Sequence, residues 1–107
     1  MDVRQEVTAE ELDLMQREGA DFYLVDVREA EEYEDGHISG AVLFPLAVLE
    51  EKMKGMREDR ALVLYCRTGV RSKEGCVRLQ RMGFRNARTL RGGFEAWKEM
   101  KDEEYSV

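Results

Sequence analysis

The sequence predicts an α/β domain built around a parallel sheet with helices on both faces. Short apolar runs rich in branched and aromatic residues alternate with segments of helical periodicity, and this alternation is typical of consecutive βαβ units. The run Phe22–Val27 is almost continuously apolar, as expected for a strand buried on both faces of the sheet. Because the chain has 107 residues, of which 43% are hydrophobic and 37% charged, we expect a single folded domain over residues 1–107.

The first half of the chain predicts three strands separated by helices. Thr8 and Glu11 have the spacing of a capping box, which opens a helix that should end near Gly19. Leu12 and Met15 lie on the face of this helix that we expect to be buried, and Leu14 is a further candidate for that face. The other expected elements of this half are strands at Val3–Val7, Phe22–Val27 and Ala41–Phe44 and helices at Glu29–Glu34 and Leu46–Met56.

The second half predicts two more strands, and Ala61–Tyr65 should be central in the sheet because it is apolar throughout. A helix is expected over Ser72–Met82, with Cys76 and Leu79 on its apolar face and Gly83 as its C-terminal stop. The other expected elements are a strand at Ala87–Leu90, a turn at Gly92 and Gly93, a helix at Phe94–Met100 and a polar, fraying tail at Lys101–Val107. In parallel sheets ligands bind at the carboxyl ends of the strands, which is where Asp26 and Cys66 fall.

Cys66 is the main candidate for a reactive group. It follows a strand and precedes a helix, so backbone N–H groups and the positive end of the helix dipole should favour its thiolate. Gly69 allows the intervening loop to turn its N–H groups inward as an anion-binding nest. Arg67 and Arg71 add two charges that persist at neutral pH. The loop also carries the hydroxyl groups of Thr68 and Ser72. A cysteine that only fills space in an apolar core would not be flanked by arginines.

Five other side chains near these motifs have structural interpretations. Cys76 falls in the middle of a helix on its apolar face, so we interpret it as a core residue. His37 is assigned to structural hydrogen bonding rather than to a Cys–His dyad, because no third orienting group is evident. Asp26 and Arg28 are expected either to form a polar network under the loop or to be a plain surface ion pair. Ser72 is either a donor in the loop or only the N-cap of the helix.

The charge distribution favours small anions as ligands. The net charge is −6 at pH 7, but residues 1–59 carry −11 and residues 60–107 carry +5. The excess of bases around Cys66 should attract anions, or it is only a solvated basic face. Nucleic acid is not an expected partner, because the chain is acidic overall and contains no recognised binding motif.

Several classes of protein are not expected from the composition. The longest apolar run, Ala41–Leu49, is far shorter than the roughly 18 residues of a membrane span. Without an apolar leader at the N-terminus, the expected location is the cytoplasm, where a disulfide between Cys66 and Cys76 is not expected. A metal site is not expected, because the sequence has one histidine and no Cys-x-x-Cys pair. No cofactor is expected either.

Three separated motifs resemble those of the rhodanese (thiosulfate sulfurtransferase) family. The loop Cys66–Ser72 is similar to the active-site loop of that family. Its N-terminal signature is similar to Asp26–Glu29, followed by Glu32 and Tyr33 and then by Gly36–Ala41, ending at Pro45. Its C-terminal signature resembles Gly83 and Phe84 together with Leu90–Trp97. These motifs occur in order and with family-like spacing over Phe22–Trp97.

The resemblance implies a central, mostly parallel sheet of about five strands and a sulfur-transfer activity. Cys66 would take the outer sulfur of thiosulfate or a similar anionic donor as a persulfide and pass it to cyanide or to a thiol. The loop N–H groups would hold the persulfide, and the arginines would bind the oxyanion end of the donor. Substrate binding is thereby implied for Arg67, Thr68, Gly69, Val70 and Arg71. Support of the loop is implied for Asp26, Arg28 and Ser72.

Two rival functions use the same cysteine. Related cysteine phosphatases place five residues between the cysteine and the arginine of their loop, whereas Cys66 and Arg71 are separated by four. A smaller loop should fit a sulfur atom better than a tetrahedral phosphate. The second rival is a sulfur-relay or persulfide-carrier module that works with a protein donor or acceptor, and the sequence does not separate it from a thiosulfate enzyme.

Overall fold

Five strands form one sheet at the centre of the fold. In the computed structural model, which describes residues 5–104, the strands are β1 Glu6–Val7, β2 Phe22–Asp26, β3 Val42–Leu43, β4 Ala61–Tyr65 and β5 Ala87–Leu90. Their order across the sheet is β1-β5-β4-β2-β3, and each neighbouring pair is parallel. The prediction of a parallel α/β sheet with β4 in the middle is confirmed.

In the described part of the chain, residues 5–104, five α-helices cover the two faces of this sheet. They are α1 Ala9–Arg17, α2 Ala30–Asp35, α3 Leu49–Met53, α4 Val70–Arg81 and α5 Gly93–Glu104. One apolar cluster joins α1 and α5 to the sheet and includes Leu12, Val63, Tyr65, Trp97 and Met100. The other joins α3 and α4 to the opposite face and includes Leu49, Leu62, Leu64, Cys76 and Leu79. Successive residues of β4 alternate between the two clusters because side chains alternate along a strand.

Helix α1 begins as its sequence predicts. The Glu11 backbone N–H donates to Thr8 Oγ1 over 3.1 Å, and the Thr8 N–H donates to Glu11 Oε1 over 2.9 Å. Leu12 is fully buried in the core and Met15 packs against it, whereas Leu14 is exposed. The capping box and the apolar face are therefore confirmed, because both depend on contacts within a few residues.

Three predicted elements differ most from the structure, and other predicted bounds shift by one or two residues, as at α4, which begins at Val70 rather than at Ser72. The segment Leu46–Met56 is not one helix, because a 3-10 turn at Leu46–Val48 precedes α3. The first strand is only Glu6–Val7, and residues 3–4 of its predicted range lie outside the described residues. The predicted fraying from Lys101 is wrong as far as Glu104, since α5 continues to that residue. Residues 105–107 of the predicted tail lie outside the described part of the chain.

Helix α5 continues because its end is held against α1. Lys101 Nζ lies 2.8 Å from Asp13 Oδ1 and 4.8 Å from the centre of the Trp97 ring. Arg17 Nη2 lies 3.0 Å from Glu104 Oε1. These contacts join residues that are far apart in the sequence, so a polar composition alone did not reveal them.

The register of the sheet decides where the candidate site lies. Asp26 is paired with Tyr65 across β2 and β4. Because Cys66 directly follows Tyr65, Asp26 and Cys66 lie at the same edge of the sheet.

None of the helices within residues 5–104 has the length and hydrophobicity that a membrane span requires.

Candidate active site

The Cys66 thiol lies in a loop between β4 and α4 and is 1% exposed. Its Sγ accepts hydrogen bonds from the backbone N–H of Gly69 at 3.1 Å and from that of Ser72 at 3.4 Å. Gly69 has φ +115°, a left-handed conformation that side chains other than glycine rarely adopt. The loop therefore turns its N–H groups toward the sulfur at the start of a helix, which favours an anion there.

Burial and hydrogen bonding act in opposite directions on this thiol. Burial raises the pKa of the Cys66 thiol, because the thiolate loses water. Hydrogen bonds from the Ser72 hydroxyl and from the backbone N–H groups of Ser72, Gly69 and Thr68 lower it by more. The net pKa is below the ordinary value for cysteine. Since the thiolate is the nucleophilic form, this favours reactivity.

Ser72 is not the N-cap of the helix. Gly69 occupies that position, and Ser72 lies buried in the first turn of α4. The Ser72 Oγ lies 3.6 Å from the Cys66 Sγ and donates to the Gly69 carbonyl over 3.2 Å. It also shares a hydrogen bond with the buried hydroxyl of Thr89 on β5. Of the two alternatives for Ser72, the N-cap is therefore wrong. The Ser72 hydroxyl contacts the Cys66 sulfur instead.

The two arginines of the loop hold carboxylates. Arg71 forms a two-point ion pair with Glu32 on α2, with N–O distances of 2.8 and 3.0 Å. This hydrogen bonding lowers the pKa of Glu32 to about 2. Glu32 therefore contributes stability above the pKa of an unfolded carboxyl, and this contribution is lost as the pH falls toward 2. Arg67 is more exposed, and its Nε lies 3.2 Å from Glu95 Oε1.

Helix α5 binds the outward-facing carbonyls of the same loop. The Phe94 N–H donates to the Cys66 carbonyl over 2.9 Å, and the Glu95 N–H donates to the Arg67 carbonyl over 3.1 Å. A Cβ added at Gly93 would lie 2.5 Å from the Cys66 carbonyl oxygen. Glycine at position 93 is thus required for α5 to approach the loop. The sequence indicated only a turn at this position.

Asp26 and Arg28 form a buried pair, so the alternative of a surface ion pair is wrong. Their exposures are 0% and 4%, and Arg28 Nη2 lies 2.8 Å from Asp26 Oδ2. The same nitrogen donates to the Gly36 carbonyl over 2.6 Å. The Arg28 guanidinium also lies 4.5 Å from the centre of the ring of Phe94, the residue after Gly93. This polar network connects β2, α2 and α5 beside the Cys66 loop.

The side chains of the remaining predicted residues do not contact the Cys66 sulfur, although the Thr68 backbone N–H does. Thr68 and Val70 are exposed, and Val70 reaches 77% exposure. His37 stacks on the Tyr33 ring at 3.7 Å, and its Nδ1 lies 2.9 Å from the Tyr33 carbonyl oxygen, a structural contact. Cys76 is buried between α4 and the sheet, and burial raises its pKa to about 12. Both cysteines are free thiols.

A cleft of about 430 Å³ opens beside the loop. Its lining includes Arg28, Glu32, Gly36, Arg67, Phe94 and Glu95. The mixture of positive and negative groups with one aromatic face suits a small polar molecule more than a long apolar one. Across residues 5–104, no three His, Cys, Asp or Glu side chains are grouped as metal ligands would be.

Comparisons with known proteins agree with this fold. The profile of the rhodanese-like domain matches residues 8–100. The chain belongs to the rhodanese-like domain family. It is 33% identical over 78 residues to the thiosulfate sulfurtransferase GlpE of Coxiella burnetii, and the match covers 73% of each chain. It is also 41% identical over 86 residues to the probable adenylyltransferase/sulfurtransferase MoeZ of Mycobacterium tuberculosis. That match covers 78% of this chain but only 22% of MoeZ.

Solved structures of this rhodanese-like fold cover most of the chain. A human single-domain sulfurtransferase is 26% identical, with a TM-score of 0.82, and the match covers 89% of this chain and 96% of that one. A protein of unknown function from Rhodopseudomonas palustris, described as a possible tyrosine phosphatase, is 28% identical with a TM-score of 0.83. That match covers 91% of this chain and 81% of the other. The expected five-stranded rhodanese-like fold is confirmed.

Removing the buried carboxylate beside the loop should destabilise the fold. We expect Asp26→Ala to lower the free energy of unfolding by about 3–5 kcal/mol, because it leaves the Arg28 guanidinium buried without its partner. The control is Asp21→Ala, whose carboxylate is 72% exposed and pairs with Arg60; it should cost less than about 1 kcal/mol. Urea unfolding of both variants measures the difference, and equal losses would contradict a structural role for the buried pair.

Proposed function

We propose that this protein is a sulfurtransferase that carries sulfane sulfur as a persulfide on Cys66. The observation that supports it is the pair of backbone N–H groups, from Gly69 and Ser72, that donate to the Cys66 Sγ at 3.1 and 3.4 Å. A sulfur anion is large and weakly hydrated compared with an oxygen anion, and several N–H groups at a helix start suit it. A reducing compartment such as the cytoplasm suits a thiol that must stay free.

The proposed reaction has two displacement steps. The Cys66 thiolate attacks the outer sulfur of thiosulfate, the S–S bond of the donor breaks, and sulfite leaves with the electron pair. In the second step cyanide or a thiolate attacks the terminal sulfur of the persulfide, and the Cys66 thiolate leaves. The products are thiocyanate or a new persulfide, and no cofactor or external oxidant is consumed. Such double displacement gives ping-pong kinetics.

Thiosulfate is the proposed donor because the approach to the loop carries an exposed positive charge. Arg67 is 68% exposed and pairs with Glu95 through one contact at 3.2 Å, so it can exchange this carboxylate for an oxyanion. Arg71 is held by Glu32 at two points and is less exposed. We therefore assign Arg67 to the sulfonate end of the donor and Arg71 chiefly to positioning the loop. GlpE, a relative, is named a thiosulfate sulfurtransferase.

A sulfur relay with a protein partner is the second candidate function. The observation that favours it is the 77% exposure of Val70, an apolar side chain only four residues after Cys66. An exposed apolar group beside a reactive thiol suits contact with another protein surface. In that case the donor is a protein persulfide rather than thiosulfate, while the chemistry at Cys66 is unchanged.

Phosphate-ester hydrolysis is the rival that the fold alone does not exclude, as the neighbour from Rhodopseudomonas palustris illustrates. The small size of the loop disfavours this reaction. Four residues separate Cys66 from Arg71, and the guanidinium of Arg71 is directed to Glu32. A phosphatase needs its loop arginine for the transferred phosphoryl group, so this pairing disfavours hydrolysis.

Incubation with thiosulfate should add one sulfur atom to the protein. Intact mass spectrometry should show this adduct on the wild-type chain and on Cys76→Ala, because Cys76 is buried and its raised pKa keeps it a thiol. The adduct should be absent from Cys66→Ala, with the fold retained. A protein persulfide tested in parallel separates the two candidate functions. Absence of any adduct with every donor would contradict the proposed mechanism.

Loss of the exposed arginine should weaken donor binding selectively. We expect Arg67→Ala to raise KM for thiosulfate about tenfold, because a hydrogen bond to a charged group is removed. It should raise KM less for a persulfide donor, which has no sulfonate group. The matched control is Arg85→Ala, an exposed arginine that precedes β5 at the opposite edge of the sheet. Steady-state kinetics measure both, and equal effects of Arg67→Ala on the two donors would refute its role.

A simple aryl phosphate should not be hydrolysed above the rate of the Cys66→Ser variant. The reason is the four-residue loop, which should be too small to hold a tetrahedral phosphate. Release of the phenol, followed by absorbance for both chains, is the measurement. Hydrolysis that disappears with Cys66→Ser would instead identify the protein as a phosphatase.

A further inference from the structure

Thr89 lies behind the Cys66 loop and is completely buried on β5. Its Oγ1 is within hydrogen-bonding distance of the Ser72 Oγ, and Ser72 in turn contacts the Cys66 sulfur. A buried threonine hydroxyl needs a partner, because an unpaired one is costly to bury. The partner of Thr89 is the Ser72 hydroxyl, which lies in the first turn of α4 and contacts the Cys66 sulfur.

The Ser72 hydroxyl has one hydrogen and three polar neighbours. They are the Cys66 Sγ at 3.6 Å, the Gly69 carbonyl oxygen at 3.2 Å and the Thr89 hydroxyl. The Gly69 carbonyl also accepts from the Lys73 N–H over 3.2 Å. The Ser72 hydrogen can therefore turn from this carbonyl to the sulfur without leaving the carbonyl unpaired. A hydroxyl rotates freely enough to make this choice.

The charge on the Cys66 sulfur decides whether the Ser72 hydroxyl hydrogen points to the Gly69 carbonyl or to the sulfur. A protonated Cys66 can donate its S–H to the Ser72 oxygen, whereas a thiolate needs donors. When Ser72 donates to the thiolate, its own oxygen is free to accept, and the Thr89 hydroxyl fills that place. Successive hydrogen bonds of this kind polarise one another in a buried site. The chain Thr89 to Ser72 to Cys66 is thus matched to an anionic sulfur.

We propose that Thr89 is a positioning residue for sulfur transfer, whose hydroxyl donates to Ser72 and so directs the Ser72 hydroxyl to the Cys66 thiolate. This inference rests on the proposed function. The Cys66 Sγ carries the negative charge before it attacks the donor and again when it leaves in the second step. In the persulfide between these steps, Sγ is bonded to the outer sulfur, and the charge lies on that outer sulfur. The hydroxyl chain therefore stabilises the thiolate more than the persulfide.

The test is a pH titration of Cys66 in the absence of any sulfur donor. Ultraviolet absorbance of the thiolate is followed in the full chain carrying Cys76→Ala, with the Cys66→Ala chain as the blank. Thr89→Val keeps the shape of the side chain and removes the hydroxyl, so the midpoint should rise by roughly half to one pH unit, as expected for loss of one buried hydrogen bond. Thr89→Ser keeps the hydroxyl and should restore the midpoint.

A second pair of variants tests whether Thr89 acts through Ser72. Ser72→Ala alone should raise the midpoint at least as much, and adding Thr89→Val to it should cause no further shift. An unchanged midpoint in folded Thr89→Val, or an undiminished shift in the Ser72→Ala background, would overturn the inference. Thermal unfolding confirms the fold of each variant, and Thr89→Ala replaces Thr89→Val if the latter does not fold.

The titration and the sulfur adduct fail independently. A shifted midpoint without any adduct from any donor would refute sulfur transfer and leave only the contact between Thr89 and the thiol. Adduct formation with an unmoved midpoint would refute the role of Thr89 and leave the proposed function intact. With thiosulfate as donor, Thr89→Val should move the pH profile of kcat/KM in the same direction as the titration, which a purely structural residue would not do.

Discussion

A buried sulfur remains ionised only if hydrogen bonds replace the water that burial removes, and the carboxyl edge of the sheet is arranged around this constraint. The N–H groups of Gly69 and Ser72 donate to Cys66 from one side. The carbonyls of the same loop face the opposite way and accept from the N-terminal turn of α5. Because both sides of the loop backbone are bonded, its N–H groups are held in place before any ligand arrives, which is the preorganisation that charge stabilisation requires.

The charges around this loop come from distant parts of the chain. The acidic first half contributes Glu32, which holds Arg71 at two points, and the basic second half contributes the arginines themselves. The excess of bases near Cys66 is therefore partly neutralised in the folded state. What remains toward solvent is chiefly Arg67, with a single contact to Glu95. Attraction of an anion is consequently local to one side of the loop rather than a property of the whole basic segment.

The same fold accommodates different chemistry, so the loop carries the functional argument. Membership of the rhodanese-like family establishes the sheet and its connections, yet one structural neighbour is described as a possible tyrosine phosphatase. The chemistry of this chain is therefore indicated by the spacing between Cys66 and Arg71 and by the contacts that Arg71 makes. In this chain four residues separate Cys66 from Arg71, and Arg71 forms an ion pair with Glu32 on α2. The hydrogen-bond donors of the loop, the N–H groups of Gly69 and Ser72, are directed to the single sulfur of Cys66.

The sequence by itself determined the features that depend on neighbours along the chain. Strands β4 and β5 have their predicted bounds, the Thr8 cap is formed, and Cys66 lies between a strand and a helix start. Each of these depends on periodicity or on contacts within a few residues. The alternation of strands and helices was enough to predict the parallel sheet, because parallel strands need such crossovers.

Only the tertiary structure decided which distant groups meet at the sulfur. Glu32 pairs with Arg71 across 39 positions, and Thr89 meets Ser72 across 17. Gly93 reaches the Cys66 carbonyl through the packing of α5 beside β4. No local pattern encodes such pairs, since they depend on strand order and on the approach of helices to the sheet. For the same reason the sequence predicted that Asp26 and Arg28 interact but left open whether they lie under the loop or at the surface, and their burial in the structure decided this.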